Sequence, residues 1–323
     1  HALKASEGQQ QSAKLSYQDT RDLVVRQAAG LYLDAEAAEA EVEAAESRVT
    51  SSEALMKLAQ DQHGAGLATA VDVLRSQVQL QRDRQNLLVT RNAYETGLLA
   101  LQRFIGLRPG TPLELADRLE FRQVAIPDLD QALRTSLENR FDYHSLLSQR
   151  ESLTEMQKAA HARYLPTLSV DGNYGALGRN FGEMPGIGLI QATLSITIFD
   201  RDRSGERREL ESRLERLDDQ IADLRNGIEE ELRKAVLDLR STEQQVSVTE
   251  GGVNLAQREL ELAKDRFRNG VTDNIEVVTA QSSLQSAQDD HILALARYAD
   301  ARVALVRALG ATERTYQSYF DEQ

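Results

Sequence analysis

Two short stretches decide how this chain folds: His63-Gly64-Ala65-Gly66-Leu67-Ala68-Thr69-Ala70-Val71-Asp72 and Arg268-Asn269-Gly270-Val271-Thr272-Asp273-Asn274-Ile275-Glu276. Each carries a glycine, Gly66 or Gly270, where a helix can end in the left-handed conformation that glycine adopts without strain. Each then offers an N-cap, Thr69 or Asp273, with an acid three residues on, Asp72 or Glu276, the spacing of a capping box. A helix, a tight turn and a second helix are expected at both places. Local physics alone reads no more than two turns.

The two stretches are copies. The offset is 270 − 66 = 204 residues, and the same shift lays Leu58-Ala59 on Leu262-Ala263, Asp61 on Asp265, Val73 on Val277, Gln77 on Gln281 and Leu80 on Leu284. It also lays Leu33-Asp34 on Leu237-Asp238, Tyr94 on Tyr298, Leu101 on Leu305 and Gly106 on Gly310. Shared heptads would not bring glycines and tyrosines into register as well, so the chain is read as a duplication. Its period is too long for a solenoid; two copies predict a pseudo-symmetric protomer. Shifted by 204, His1 falls on Gly205, so the first copy is expected to lack a strand pair and the helix before it, as in a mature or trimmed chain.

Around the turns the pattern is that of coiled coils. Val24, Ala28, Leu31, Ala35, Ala38, Val42, Ala45 and Val49 alternate steps of four and three, as do Leu210, Leu214, Leu217, Ile221, Leu224 and Ile228. A mean period of 3.5 marks a left-handed supercoil seam, and alanines in it let helix axes approach closely. Each helix is expected to run about 45 residues, roughly 65–70 Å at 1.5 Å per residue. All five prolines lie between Pro109 and Pro185, leaving both flanks free of helix breakers.

Composition fits elongated helices. The 323 residues are 41% hydrophobic but only 5% aromatic, without Trp, which is poor material for a large compact core. A net charge of −13 argues against nucleic acid, whose phosphates would be repelled. With no cysteine, disulfides and thiolate metal sites are excluded. No apolar run reaches the ~18 residues of a transmembrane helix, and no signal peptide is evident at the start.

Between the copies the period changes to two. Leu168, Val170 and Tyr174 alternate with Ser169, Asp171 and Asn173; Ile190, Ala192, Leu194, Ile196 and Ile198 alternate with Gln191, Thr193, Ser195 and Thr197. Alternation over about ten residues is the mark of a membrane barrel strand. The polar, Gly-rich stretch 178–186 would link the strands, and Tyr164 and Phe199 would stand at the helical ends, where an interfacial aromatic girdle sits. A hairpin of a soluble sheet would show the same alternation, but the flanking helices offer no soluble core for it to cover. Two strands cannot close in lipid, so the barrel must be shared among chains.

This order of elements resembles the outer membrane efflux protein family, whose best-known member is TolC. Leu165-Pro166-Thr167-Leu168-Ser169 resembles its LPxLS strand start. Ile198-Phe199-Asp200 with Gly205 and Arg207 resembles its PLFDxGxR strand exit, with Ile198 in place of the proline. Arg266-Phe267-x-x-Gly270 with Glu276-Val277-Val278 resembles its RYxxGxxxxxDVL hairpin, and Gln62-His63-x-x-Gly66-Leu67 with Asp72-Val73-Leu74 repeats it. Asn139-Arg140-Phe141-Asp142 is similar to its RPD turn.

The resemblance implies a mainly α protomer: long antiparallel coiled-coil hairpins in two pseudo-repeats forming an α-barrel wall, with a transmembrane β-hairpin given to a shared trimeric β-barrel. The expected divisions are 1–107, first helical repeat; 108–162, equatorial mixed segment; 163–200, membrane hairpin; 201–314, second helical repeat; and 315–323, tail. The implied function is a passive outer membrane duct of a tripartite efflux or secretion system, extending into the periplasm of a Gram-negative-type bacterium. Its implied partners are two further copies of itself, outer membrane lipid, a periplasmic adaptor and, through that, an inner-membrane pump. Gly66, Leu67, Thr69, Gly270, Val271 and Asp273 would face the adaptor. Asp72 and Glu276 would lie at the pore constriction, where a ring of Glu276 carboxylates would favour cations; the family's second acidic gate position is Thr279 here. Leu168, Val170, Tyr174, Ile190, Ala192, Leu194, Ile196 and Ile198 would face lipid.

Two rivals remain at this stage. A soluble coiled-coil scaffold, or an adaptor with its own helical hairpin, would share the heptads. An enzyme is disfavoured: the five histidines show no HExxH spacing, and no phosphate-binding glycine loop occurs, so no cofactor is expected. Asp289-Asp290-His291, and the run Glu36, Glu39, Glu41, Glu43 and Glu46, read as solvated helix faces.

Overall fold

The computed structural model describes residues 1–176, 186–196 and 201–311. Among the described residues six helices and two strands follow one another: α1 (Ala2–Gly64), α2 (Ala70–Phe104), α3 (Leu129–Asn139), α4 (Phe141–Ala162), β1 (Thr167–Ala176), β2 (Gly186–Ser195), α5 (Arg201–Arg268) and α6 (Asn274–Ala308). Residues 109–128 carry no regular element beyond turns and bends.

Helix length departs from expectation. Helices α1 and α5 run 63 and 68 residues, while α2 and α6 run 35 each. Nothing in α1 or α5 breaks the ladder: both are Pro-free, and Gly30, Gly227, Gly251 and Gly252 sit inside them without ending them. A single interior glycine costs only about 1 kcal/mol, which side-chain packing offsets. Helices α1, α2, α5 and α6 all stop just before a glycine that caps them.

The duplication is written in those caps. Gly66, Gly106, Gly270 and Gly310 all have positive φ, between 68° and 79°. At each, two backbone bonds close the helix in the Schellman pattern. The Gly66 and Leu67 amides donate to His63 and Gln62 carbonyls at 3.0 and 2.9 Å; 204 residues on, Gly270 and Val271 donate to Phe267 and Arg266 at 3.0 and 2.9 Å. Gly106 with Leu107 and Gly310 with Ala311 repeat the arrangement at the other end of α2 and α6.

The chain divides into two compact units. One comprises His1–Asp19 and Phe141–Gly227. In it α1 and α4 pack through small residues. A side chain on Gly8 would meet Ser152 Cβ at 3.0 Å, while Ser152 Oγ donates to the Ala5 carbonyl at 2.7 Å and Ser145 Oγ to that of Ser12 at 3.1 Å. Hydroxyl-to-backbone bonds of this kind satisfy polar groups where helices approach too closely for large residues. The strand pair and the start of α5 complete this unit.

The second unit, Thr20–Arg140 and Ile228–Gln323, holds the hairpin α1–α2, the hairpin α5–α6 and α3. Two apolar clusters occupy it. Leu232, Leu239, Tyr298, Leu305 and Leu309 gather with Ala132 of α3; Leu55, Ala59, Leu260, Phe267 and Val277 gather next to the turns. Arg140, which ends α3, is buried and pairs with Glu231 at 2.5 Å.

Candidate functional site: the ribbon and the paired turns

Strands β1 and β2 pair antiparallel over ten residues each, with Leu168 opposite Leu194, Val170 opposite Ala192, Gly172 opposite Ile190 and Tyr174 opposite Gly188. Opposed residues share a face, so the apolar side chains of both strands fall on one side. Gly188 leaves room for the Tyr174 ring, whose Cδ2 would lie 3.8 Å from an added Cβ. The other side carries Ser169 with Thr193, Asp171 with Gln191, and Asn173 with Leu189. Leu189 is the one large apolar side chain described on that polar side.

The apolar face is covered by nothing among the described residues. Leu168, Val170, Tyr174, Ile190, Leu194 and Ile196 are 60–85% exposed, and Ala192 is exposed too. Ten residues suits a strand crossing the hydrocarbon core at a tilt of about 45°. Among the described residues the sheet has two strands, so both outer strand edges present unpaired backbone groups. Tyr164 is half exposed at the foot of the ribbon. Ile198, Phe199, most of the link (177–185) and the tail (315–323) lie outside the described residues.

The two turns differ beneath their shared backbone. Thr69 builds a full capping box: its Oγ1 accepts from the Asp72 amide at 3.3 Å, and Asp72 Oδ2 accepts from the Thr69 amide at 2.9 Å and hydroxyl at 2.6 Å. Asp72 is therefore buried, 4% exposed. Burial pushes its carboxyl up, but the Thr69 bonds, Asn274 and Arg75 outweigh that and hold it below the usual carboxylate value.

The second turn does not form a box. Asp273 caps α6 by accepting from the Ile275 amide at 3.1 Å. Glu276 turns away and pairs with Arg266 at 3.4 Å. Arg266 stands where the first copy has Gln62, and that charge gives the Glu276 carboxylate a stronger partner than the cap amide. Leu67 and Val271, at the crowns of the turns, are 62% and 66% exposed.

The turns are bound to one another. Asn274, fully buried, reaches the start of α2, and Gln62 Nε2 donates to the Arg268 carbonyl at 3.1 Å. Leu67 Cδ2 lies 4.0 Å from where a Gly270 Cβ would be.

Sequence reasoning missed a polar layer next to the turns. A cavity of about 230 Å³ opens between the four helices, lined by Ser52, Gln79, Asp83, Lys264, Gln281 and Gln288 among others. Ser52 Oγ and Gln79 Nε2 both donate to Asp83. Burial pushes the Lys264 ammonium below its usual value. Polar residues at heptad positions are indistinguishable from a solvated face until the partner helix is known. The Asp289-Asp290-His291 group does not converge: Asp289 meets Arg48 at 3.0 Å, and His291 meets Thr249 at 3.1 Å. Among the described residues no helix is long and apolar enough to cross a membrane, and no three acidic or imidazole groups could share a metal ion.

Comparison with known proteins gives one consistent answer. The model of the family described as "Outer membrane efflux protein" matches residues 1–107 and 132–311. Protein CyaE of Bordetella pertussis is 27% identical over 97% of this chain and 68% of its own length. The pyoverdine export outer membrane protein OpmQ of Pseudomonas aeruginosa is 24% identical over 96% of this chain and 64% of its own. The chain thus spans about two thirds of these relatives. In fold it superposes on the outer membrane protein VceC of Vibrio cholerae with a TM-score of 0.81, at 18% identity, covering 95% of this chain and 74% of that one.

Proposed function

This chain belongs to the outer membrane efflux protein family, and from that premise we propose that it is one protomer of a passive export duct in the outer membrane, serving a tripartite efflux or secretion system. The family and fold are those of channels rather than of known enzymes, and no step in this reading needs catalysis.

The observation that carries the proposal is the uncovered apolar face of the ribbon. At about 25 cal/mol per Å² of apolar surface removed from water, six large side chains left 60–85% exposed forgo several kcal/mol. A water-soluble fold would bury such a face; lipid does so without further protein. The open strand edges then require neighbouring strands, because unpaired amides and carbonyls are costly in hydrocarbon. Supply by further copies of the same chain gives a closed ring, with a homotrimer as the family's arrangement. A soluble scaffold or periplasmic adaptor is not favoured, since the family match spans both helical repeats.

Within that assembly, the crowns Gly66-Leu67 and Gly270-Val271, with the caps Thr69 and Asp273, are the adaptor-facing surface. Their exposure supports this, as does their rigidity, fixed by paired Schellman bonds. Asp72 and Glu276 take different parts at the constriction. Asp72 is spent on its cap and positions the turn, whereas the half-exposed Glu276 has a carboxylate available to line the pore. The ribbon residues Leu168, Val170, Tyr174, Ile190, Ala192, Leu194 and Ile196 face lipid, and Ile198 continues the pattern.

The test is reconstitution of the intact gene product into planar lipid bilayers. Discrete, cation-preferring conductance steps from a detergent-extracted oligomer are expected. A freely soluble monomer that leaves bilayers silent would contradict the reading.

A further inference from the structure

The cavity between the two hairpins carries two charges that do not meet. Asp83 of α2 is 6% exposed. Its carboxylate accepts from neutral groups, the Ser52 hydroxyl and, at 3.0 Å, the Gln79 side-chain amide. Lys264 of α5 is half-buried on the same cavity, and its ammonium donates to the Ser51 hydroxyl at 3.2 Å. Neither Asp83 nor Lys264 belongs to an ion pair among the described residues. Ser51 and Ser52 are consecutive in α1, so the two charges hang from neighbouring hydroxyls while coming from different hairpins.

The other charged groups of the wall are accounted for. Arg48 is taken by Asp289 at 3.0 Å, and Glu261 is exposed. Two further groups on the wall lack partners: the buried Oε1 atoms of Gln281 and Gln288 receive no donor among the described residues. A charge withdrawn from water needs an opposite charge or several hydrogen bonds, and a buried carbonyl needs a donor.

Size and charge narrow the occupant. The cavity's 230 Å³ lies below the ~300–1,000 Å³ of pockets that enclose drug-sized ligands, so exported cargo of that size does not fit. A simple cation would suit Asp83 and the glutamine carbonyls but be repelled by Lys264. A simple anion meets the reverse. A solute with an ammonium at one end and a carboxylate at the other suits both walls at once. Its ammonium brings three N–H donors for Asp83 and a glutamine carbonyl, and its carboxylate accepts from Lys264.

We propose that this cavity is a binding site for a small zwitterion of the amino-acid class, held with its ammonium on Asp83 and its carboxylate on Lys264. Bound there, it bridges α2 of the first hairpin to α5 of the second and joins two charges that the protein alone leaves apart. Burial, aided by the Arg268 charge, lowers the Lys264 ammonium below its usual value, and an arriving carboxylate opposes that shift with a charge of opposite sign. The site is separate from the ribbon and stands independently of the duct reading.

The experiment is equilibrium dialysis of radiolabelled glycine, β-alanine, γ-aminobutyrate and δ-aminovalerate against the intact, detergent-solubilised oligomer. Saturable binding below about 10 mM is expected. It should be strongest for one member of the series, because one length spans a fixed gap between the charges. Lys264→Met should weaken that binding at least about tenfold, the scale of one hydrogen bond to a charged group. Lys264→Glu should exchange the preference, since two carboxylates then line the cavity: the diamine putrescine should bind and the amino acids should not. Absence of saturation means that water alone fills the cavity and overturns the site. Binding indifferent to chain length, or undiminished in Lys264→Met, overturns it too. Should Lys264→Met lower the unfolding midpoint of the empty protein, the exchange in Lys264→Glu decides: putrescine bound in place of the amino acids supports the site, and an unchanged preference overturns it.

Discussion

The side-chain amide of Asn274 donates to the Asp72 carbonyl at 2.9 Å and to Ser76 Oγ at 2.6 Å, so the first turn of α6 is tied to the first turn of α2. The tie runs one way only. Its counterpart in the first copy is Ala70, and Ser76 is matched by Ala280. A duplicated hairpin has thereby become two unequal partners locked at their tips.

Asn274→Ala removes both bonds inside a site where Asn274 is 0% exposed. A loss of about 1–3 kcal/mol is expected. Urea unfolding should show it as a lower midpoint with an unchanged slope. A change under about 0.5 kcal/mol would mean that the tips are held by apolar packing alone.

The cap glycines should not respond alike. Gly66 has open space around the missing Cβ, so Gly66→Ala meets only the left-handed strain, about 1–2 kcal/mol. Gly310 has the Arg140 amide nitrogen 2.9 Å from that position. Gly310→Ala therefore adds an overpacking cost of about 1–3 kcal/mol. Denaturation midpoints should rank wild type, Gly66→Ala and Gly310→Ala in descending order.

What could be read beforehand was whatever a residue determines by itself or with near neighbours. A left-handed cap needs glycine, so Gly66 and Gly270 marked helix ends across a 204-residue shift, while Gly106 and Gly310 showed only as a matched pair until their positive φ was seen. Strand alternation is a property of the backbone, so the apolar side of the ribbon was legible before its register was known. Long-range partners were not. Glu36 and Glu43 look alike in sequence, yet one is buried and the other is exposed. Tyr94 and Tyr298 occupy equivalent positions, yet Tyr94 bonds Glu39 while Tyr298 bonds the Arg122 carbonyl. Glu276 had capping-box spacing, and only the neighbouring Arg266 diverts it. An expected length of about 45 residues is too short for α1 and α5 and too long for α2 and α6, because a heptad pattern does not by itself mark where a helix ends.

Asp72 and Glu276 should separate stability from permeation. The Asp72 carboxyl is held below its ordinary value, so its contribution is present above about pH 4 and fades as pH falls through the depressed value. Asp72→Asn should cost about 0.5–2 kcal/mol at neutral pH and remove that part of the acid sensitivity. Glu276→Gln loses an exposed pair worth under about 1 kcal/mol. It should leave the unfolding midpoint nearly unmoved while lowering cation preference in bilayer recordings. Unchanged selectivity would remove Glu276 from the constriction.

Bulk at the crowns tests the docking surface. Gly270→Trp carries the same left-handed strain of about 1–2 kcal/mol as Gly66→Ala, and the nearest atom to its added Cβ is Leu67 Cδ2 at 4.0 Å, so it should impair export in cells while leaving oligomers intact on native gels. Undiminished export would place adaptor contact elsewhere.

The most direct test of the central claim uses the absence of cysteine. Single cysteines placed in turn at positions 168–171 and 190–195, spin-labelled in the intact protein in lipid vesicles, report contact with oxygen, which partitions into lipid, or with a water-soluble nickel chelate. The account predicts period-two alternation, with oxygen contact high at Leu168, Val170, Ile190, Ala192 and Leu194 and nickel contact high at Ser169, Asp171, Gln191 and Thr193. Uniform nickel contact along both strands would put the ribbon in water and contradict an outer membrane duct.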